Sequence, residues 1–226
     1  MIFGTDVSWF QSEKAPPRGP KINWPMLFNL GFRFFYAKAS DGMVPDNAHA
    51  EHWMNATAAG FVGGSYQFGH PSMDAAQCAT FFCNLVKDKL VPGNLRPVID
   101  MESLNVDKKV PDNAGVWTYT WCKQLEALSG IKPIVYSGTY YMQAMLMQCP
   151  ELKAYIIPAE DFWDAEYHGD NDPMNEPHHD YVAWQYAGNV SPISPVAGAS
   201  AFTASMADFD RSKEPTLEKL LIKQAA

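Results

Sequence analysis

Short apolar runs alternate along the first two-thirds of the chain with stretches whose apolar residues recur every three or four positions. The runs are Met1 to Val7, Phe32 to Ala39, Phe61 to Phe68, Leu95 to Glu102 and Ile131 to Tyr136. Their length, and the turn residues that bound them, predict buried strands. The stretches between them predict helices. Asn23 caps a short one with Pro25 in its first turn and Gly31 as its stop. A second carries Ala48, Trp53, Ala56 and Ala59 and ends at Gly60; Ser72 is expected to cap a third, bearing Cys78, Phe82 and Leu85. Asp112 is expected to cap a fourth, with Trp117, Trp121, Leu125 and Leu128 along one face, and Thr139 to Met147 forms a fifth.

After Met147 the rhythm changes. Tyr155 to Ala159, Tyr181 to Tyr186 and Met206 to Phe209 read as three more strands, joined by Gly, Pro, Ser and acidic residues without a convincing helix. Glu214 to Lys223 reads as a terminal amphipathic helix. Strands alternating with helices imply a parallel sheet. Eight strands in about 210 residues predict an α/β fold, an irregular TIM-like barrel of five β/α units followed by three strands with few helices. No repeat or linker interrupts it, so one domain over 1–226 is expected, with the barrel to about 211 and the terminal helix at about 214–224.

Composition narrows the function. The chain is 47% hydrophobic and 13% aromatic, enough for a large core, and no run reaches the roughly 18 apolar residues of a membrane span. Seventeen basic against 25 acidic residues leave a formal charge of −8, which argues against nucleic-acid binding. No Lys or Arg occurs between Lys153 and Arg211, and eight acids fall between Glu160 and Asp180; this acidic loop matches no calcium-loop spacing. Cys78, Cys83, Cys122 and Cys149 form no C-x-x-C pair and are expected to be free thiols. The start has no basic stretch or cleavage site of a secretory leader.

The acids suggest the chemistry. Asp100 and Glu102 end the fourth strand two positions apart, so they project to one face about 6–7 Å apart. Repulsion and desolvation should hold one of them protonated while its neighbour ionises, as acid-assisted glycoside cleavage requires. Chemistry on such a barrel gathers at the C-terminal strand ends. That places Asp6 from strand one and Asp208 or Asp210 from strand eight beside the pair, with only one of the last two expected to enter the cleft. No basic neighbour is expected among these acids. Tyr66, Phe68, Tyr136, Trp184 and Tyr186 would ring the pocket, as in a sugar cleft where apolar sugar faces stack on aromatic rings.

The motifs resemble the family 25 glycoside hydrolases. Gly4-Thr5-Asp6-Val7-Ser8 with Gln11 is similar to that family's opening signature, and Ile22-Asn23-Trp24 to its I-D-W. Phe35 to Gly42, which contains Lys38, Gly63 to Phe68, Met73 to Phe82, Pro97 to Glu102, Val135 to Gly138 and Trp184-Gln185-Tyr186 follow in the family's order. Gln67 stands where a His is common, Asn23 where Asp is common, and Pro158 falls inside the expected sixth strand. The resemblance implies a lysozyme that cleaves the β-1,4 bond between N-acetylmuramic acid and N-acetylglucosamine in bacterial peptidoglycan. It implies Glu102 as general acid, expected to be the member of the pair that repulsion holds protonated, and Asp100 as the group that holds the acetamide or attacks directly. Asp6 and Asp208 would shape the field, and Tyr66, Phe68, Tyr136, Trp184, Tyr186 and Lys38 would bind substrate.

A monomer without cofactor or metal is expected, acting on peptidoglycan and neither inserting into membranes nor binding nucleic acid. No separate wall-binding domain is expected. With no leader visible, synthesis in a host cytoplasm and release at lysis, as for a phage endolysin, is the expected setting; a removed leader is the alternative. Two rivals stand beside this reading. One is a non-catalytic glycan-binding protein on the same barrel. The other is a metal-dependent hydrolase using His49, His52, His70 or the His178–His179 pair, although His49 and His52 are expected at the surface.

Overall fold

The computed structural model describes residues 2–12, 22–103, 109–167, 179–190, 207–212 and 217–224, with the backbone alone for 187–190, 207–209 and 211. Among the described residues nine strands form one sheet: β1 (Phe3–Val7), β2 (Phe32–Asp41), the two-residue β3 (Val44–Pro45), β4 (Val62–Phe68), β5 (Val98–Asp100), β6 (Ile134–Ser137), β7 (Phe162–Ala165), β8 (Ala183–Val190) and β9 (Ala207–Ser212). The order is β1-β9-β8-β7-β6-β5-β4-β2-β3, and β1 also pairs with β2, so the pairings run full circle. Steps from β2 to β8 are parallel, whereas β9 runs antiparallel to both β8 and β1.

Side-chain alternation divides the core into two layers. Phe34, Tyr36, Tyr66, Val98, Ile134, Tyr136 and Trp163 fill the inside of the curl. Phe35, Ile99, Val135, Phe162 and Trp184 face outward beneath the helices. Gly63 and Gly64 are required by this packing: an added Cβ would stand 2.7 Å from the Phe35 ring and 2.2 Å from the Tyr36 ring. The expected close approach at these glycines is therefore made by aromatic rings.

Helices α1 (Trp24–Asn29), α2 (His49–Ala58), α3 (Ala75–Val86), α4 (Ala114–Ser129) and α5 (Thr139–Gln148) cover the outer face. Asn23 caps α1 by accepting from the Met26 amide at 3.1 Å, the task an Asp would perform there. Two expected caps shift. Asp74, and not Ser72, accepts from the Gln77 amide to start α3, and α4 follows Asn113, one residue after Asp112. Gly130 stops α4 at φ 71°, a left-handed conformation that suits glycine.

The strand expected at Tyr155–Ala159 is not there. Pro150 and Pro158 each open a short helix, α6 (Pro150–Tyr155) and α7 (Pro158–Asp161), and the strand begins only at Phe162. Proline suits the first helical turn because its missing N–H is unpaired there in any case. No helix occurs within 217–224; Leu217–Leu220 makes a turn and Leu221 bridges Leu95. Leu220 seats in the inner core layer, and its carbonyl accepts from the Arg96 amide. The four cysteines are free. Among the described residues no helix is long and apolar enough to cross a membrane.

Candidate active site

A cleft of about 470 Å³ opens at the C-terminal ends of the parallel strands. Asp6, Lys38, Tyr66, Phe68, Asp100, Glu102 and Tyr136 all line it, so seven of the residues singled out in the sequence converge there. Asp100 is the last residue of β5 and is 6% exposed; its Oδ1 is buried and receives no hydrogen bond. Glu102, two residues beyond the strand, is exposed. The two carboxyls thus share a cleft but occupy different dielectric settings.

Burial is the main reason the Asp100 carboxyl titrates well above the usual range, and the charges of Glu102 and Asp6 add to it. Lys38 opposes them. This revises two expectations. Burial favours the neutral form of Asp100, the deeper of the pair, and the acids do have a basic neighbour, since Lys38 lies in the cleft 3.5 Å from Asp41. Its position near the end of β2 turns it inward beside Tyr36, which shares its face.

Gln185 organises the opposite wall, and the sequence reading passed over it. Its Nε2 donates to Asp6 Oδ2 at 2.6 Å, while its Oε1 accepts from Tyr136 Oη at 2.9 Å and from the Tyr167 hydroxyl. Because alternation turns Gln185 inward, Trp184 and Tyr186 must turn outward. Both are buried in the outer layer and neither lines the cleft, contrary to expectation. The W-Q-Y triplet carried this signal in its middle residue. Trp163 and Tyr167 also line the cleft. They were missed because the sixth strand was placed too early; the apolar alternation of Phe162-Trp163 could have found it.

On β9, Asp208 pairs with Asp6 and Asp210 with Gly4. Positions two apart on a strand carry side chains to the same face about 7 Å apart in depth, so strand alternation cannot be what separates 208 from 210. The Asp208 side chain lies outside the described residues. Asp210 is fully buried, and its charge, after burial itself, raises the Tyr36 hydroxyl pKa. Among the described residues no histidine lines the cleft. His49 and His52 are buried against Ser65 Oγ and the Ser8 carbonyl, correcting their expected surface position. Burial lowers His49 to about 4. His70 bonds Asp41 at 2.5 Å, and His178 lies outside the described residues.

A family model described as glycosyl hydrolases family 25 matches residues 5–193. This chain belongs to glycosyl hydrolases family 25. The family 25 chain is 26% identical to the uncharacterized protein YegX of Escherichia coli K12 over 191 residues, 82% of this chain and 61% of YegX. It is 26% identical over 153 residues to an N,O-diacetylmuramidase of Arthroderma benhamiae, 63% of this chain and 60% of that one. The chain thus spans about three-fifths of the length of these curated relatives. Its fold is shared with a muramidase from Acremonium alcalophilum (TM-score 0.71, 20% identity, 97% of each chain). It is also shared with a bacterial lysozyme from Streptomyces coelicolor (TM-score 0.71, 18% identity, 96% of this chain and 94% of that chain).

Proposed function

We propose that this family 25 glycoside hydrolase is an N-acetylmuramidase, cleaving the β-1,4 bond between N-acetylmuramic acid and N-acetylglucosamine in bacterial peptidoglycan. The observation that carries this reading is the buried, proton-retaining Asp100 beside the exposed Glu102 in one aromatic-walled cleft. A retaining glycosidase needs one protonated and one ionised carboxyl at the bond to be broken. A binding-only protein on the same scaffold would have no use for a carboxyl whose burial opposes its own ionisation.

In the free enzyme the shared proton rests on Asp100. A sugar seated over Glu102 removes water from that carboxyl and raises its affinity for the proton, and Lys38 stabilises the charge that Asp100 then gains. Glu102 protonates the leaving oxygen and afterwards deprotonates the attacking water. Asp100 polarises the acetamide of the muramic sugar or attacks the anomeric carbon. Gln185 fixes Asp6 at the wall, and Tyr66, Phe68 and Tyr136 offer surfaces for sugar rings. Asp208, on β9, is assigned to the same acidic set by the family resemblance. The curled sheet is read as an irregular TIM-like barrel of five β/α units plus three strands, acting as a monomer. Free thiols suit synthesis in a reducing cytoplasm and release to the wall at lysis, as by a phage endolysin.

Digestion of purified peptidoglycan tests this directly. New reducing ends should be muramic acid; glucosamine ends, or none, would reject it. The pH–rate profile should be a bell whose basic limb is loss of the proton that Asp100 and Glu102 share. Four charged groups act on Asp100: Glu102, Asp6 and Asp41 raise its pKa, and Lys38 lowers it. Asp6→Asn removes one negative charge, so the proton is held less tightly and the basic limb should move to lower pH. A limb that stays in place would show that Asp6 and Asp100 do not couple.

A further inference from the structure

Behind the cleft, on the outer face of the sheet, a second group of polar side chains meets at the ends of β7 and α5. Asp164 and Glu166 project outward from β7 and the residue after it, and His179 comes from the segment before β8. The donor atoms of these three residues lie within 4.8 Å of one another. His179 Nε2 stands 3.2 Å from Asp164 Oδ2, 3.4 Å from Glu166 Oε2 and 3.2 Å from Thr139 Oγ1. One imidazole nitrogen cannot serve three oxygens with a single proton.

Two features distinguish this cluster from a solvated acidic patch. Asp164 is fully buried, yet its Oδ2, which faces His179, accepts no hydrogen bond. The other ring nitrogen, His179 Nδ1, lies 3.3 Å from the Asp180 carbonyl. In the tautomer where Nδ1 donates to that carbonyl, the Nε2 lone pair points toward the two carboxylates and Thr139 Oγ1. Metal-bound histidines are commonly held this way, with the second N–H on a backbone carbonyl. The ring is also braced against Phe162, with centroids 5.8 Å apart at 25°.

We propose that Asp164, Glu166 and His179 form a divalent-cation site, with zinc as the preferred ion. An imidazole and two carboxylates suit zinc, with bonds of about 2.0–2.2 Å. The edges of a tetrahedron of such bonds are about 3.3–3.5 Å, close to the present 3.2 and 3.4 Å separations from Nε2. Thr139 Oγ1 stands 3.1 Å from Asp164 Oδ1 and 3.3 Å from Glu166 Oε2, so its one hydroxyl proton can go to either carboxylate from α5. Charge favours occupancy, because two carboxylates meet at a single imidazole. Glu166 and His179 are about one-third exposed, so an ion can enter from solvent. Its role is structural. It would join α5, β7 and the start of β8 behind the wall that presents Tyr167 to the cleft, where Trp184 Nε1 already donates to the Glu166 carbonyl at 2.7 Å.

Isothermal calorimetry on the full chain, freed of metal by chelator dialysis and titrated with zinc, tests this. One equivalent should bind and raise Tm. His179→Gln and Glu166→Gln should each weaken binding at least about tenfold, with circular dichroism unchanged, whereas His70→Gln, at the His70–Asp41 pair, should bind as the unaltered chain does. Glu166 is partly exposed and not part of the packed core, so its variant decides the matter if His179→Gln fails to fold. Absence of one-equivalent binding, equal binding in the Glu166 variant, or loss only in His70→Gln would each overturn the site.

Discussion

Glu102→Gln should lower turnover on peptidoglycan about 10²–10⁴-fold and leave Tm where it is. The two halves of that expectation come from one fact, the exposure of Glu102 just beyond the end of β5. An exposed side chain in a coil contributes little to packing, so its amide replacement should fold normally. The same position lets Glu102 reach a glycosidic oxygen in the cleft while water can approach in the second step. Glutamine preserves size and cannot donate a proton at neutral pH, so the variant isolates proton transfer. The competing assignment gives the acid role to Asp100, which holds the proton in the free enzyme. On that assignment Glu102 would be the ionised partner and its amide would also be slow, so the two differ on an aryl glycoside whose leaving group needs no protonation: cleavage of that bond is largely restored if Glu102 is the acid and stays lost if Asp100 is. Retention of more than roughly a tenth of the activity on peptidoglycan, read as reducing-sugar release at saturation with Tm in parallel, would reject the acid role of Glu102 outright.

How much of this was legible in the sequence depends on where periodicity was strong. From Phe3 to Gln148 the alternation of β-branched and aromatic runs with three-to-four-spaced helices placed nearly every element. The failures share a cause. Between Pro150 and Ala165 a strand is expected at Tyr155 to Ala159 with Pro158 inside it, whereas Pro150 and Pro158 each open a helical turn. A strand displaced by several residues then hid Trp163 and Tyr167 from the cleft. Gln185 was passed over for a related reason: aromatic residues attract attention, but the strand period makes its two neighbours face the helices. The acids were found because a D-x-E pair at a strand end can hardly avoid sharing a face. Their electrostatics were not found. Which carboxyl keeps the proton depends on depth, and depth follows from how far β5 extends, here only Val98–Asp100.

Asp100→Asn should reduce activity about 10²–10³-fold, the usual loss on removing one positioned polar stabiliser, while making the protein more stable at neutral pH. In the folded chain the Asp100 carboxyl titrates well above its ordinary value of 3.8, chiefly because it is buried. The folded state therefore binds more protons than the unfolded state at pH values between 3.8 and that raised pKa. By linkage, stability falls as pH rises through this window and remains lower above it. The amide has no charge to bury, so this loss is absent from the variant. At pH 7 the variant should melt higher, with each 1 kcal/mol relieved appearing as about 2–4 °C in a chain of this size. As pH is lowered through and below 3.8 the two melting curves should converge, because the wild-type carboxyl is then neutral in both states. Melting temperatures of the two proteins across that range measure the effect. A variant less stable than wild type at pH 7 would mean that the Asp100 charge is compensated in the cleft, and the resting proton would then have to be assigned to Glu102.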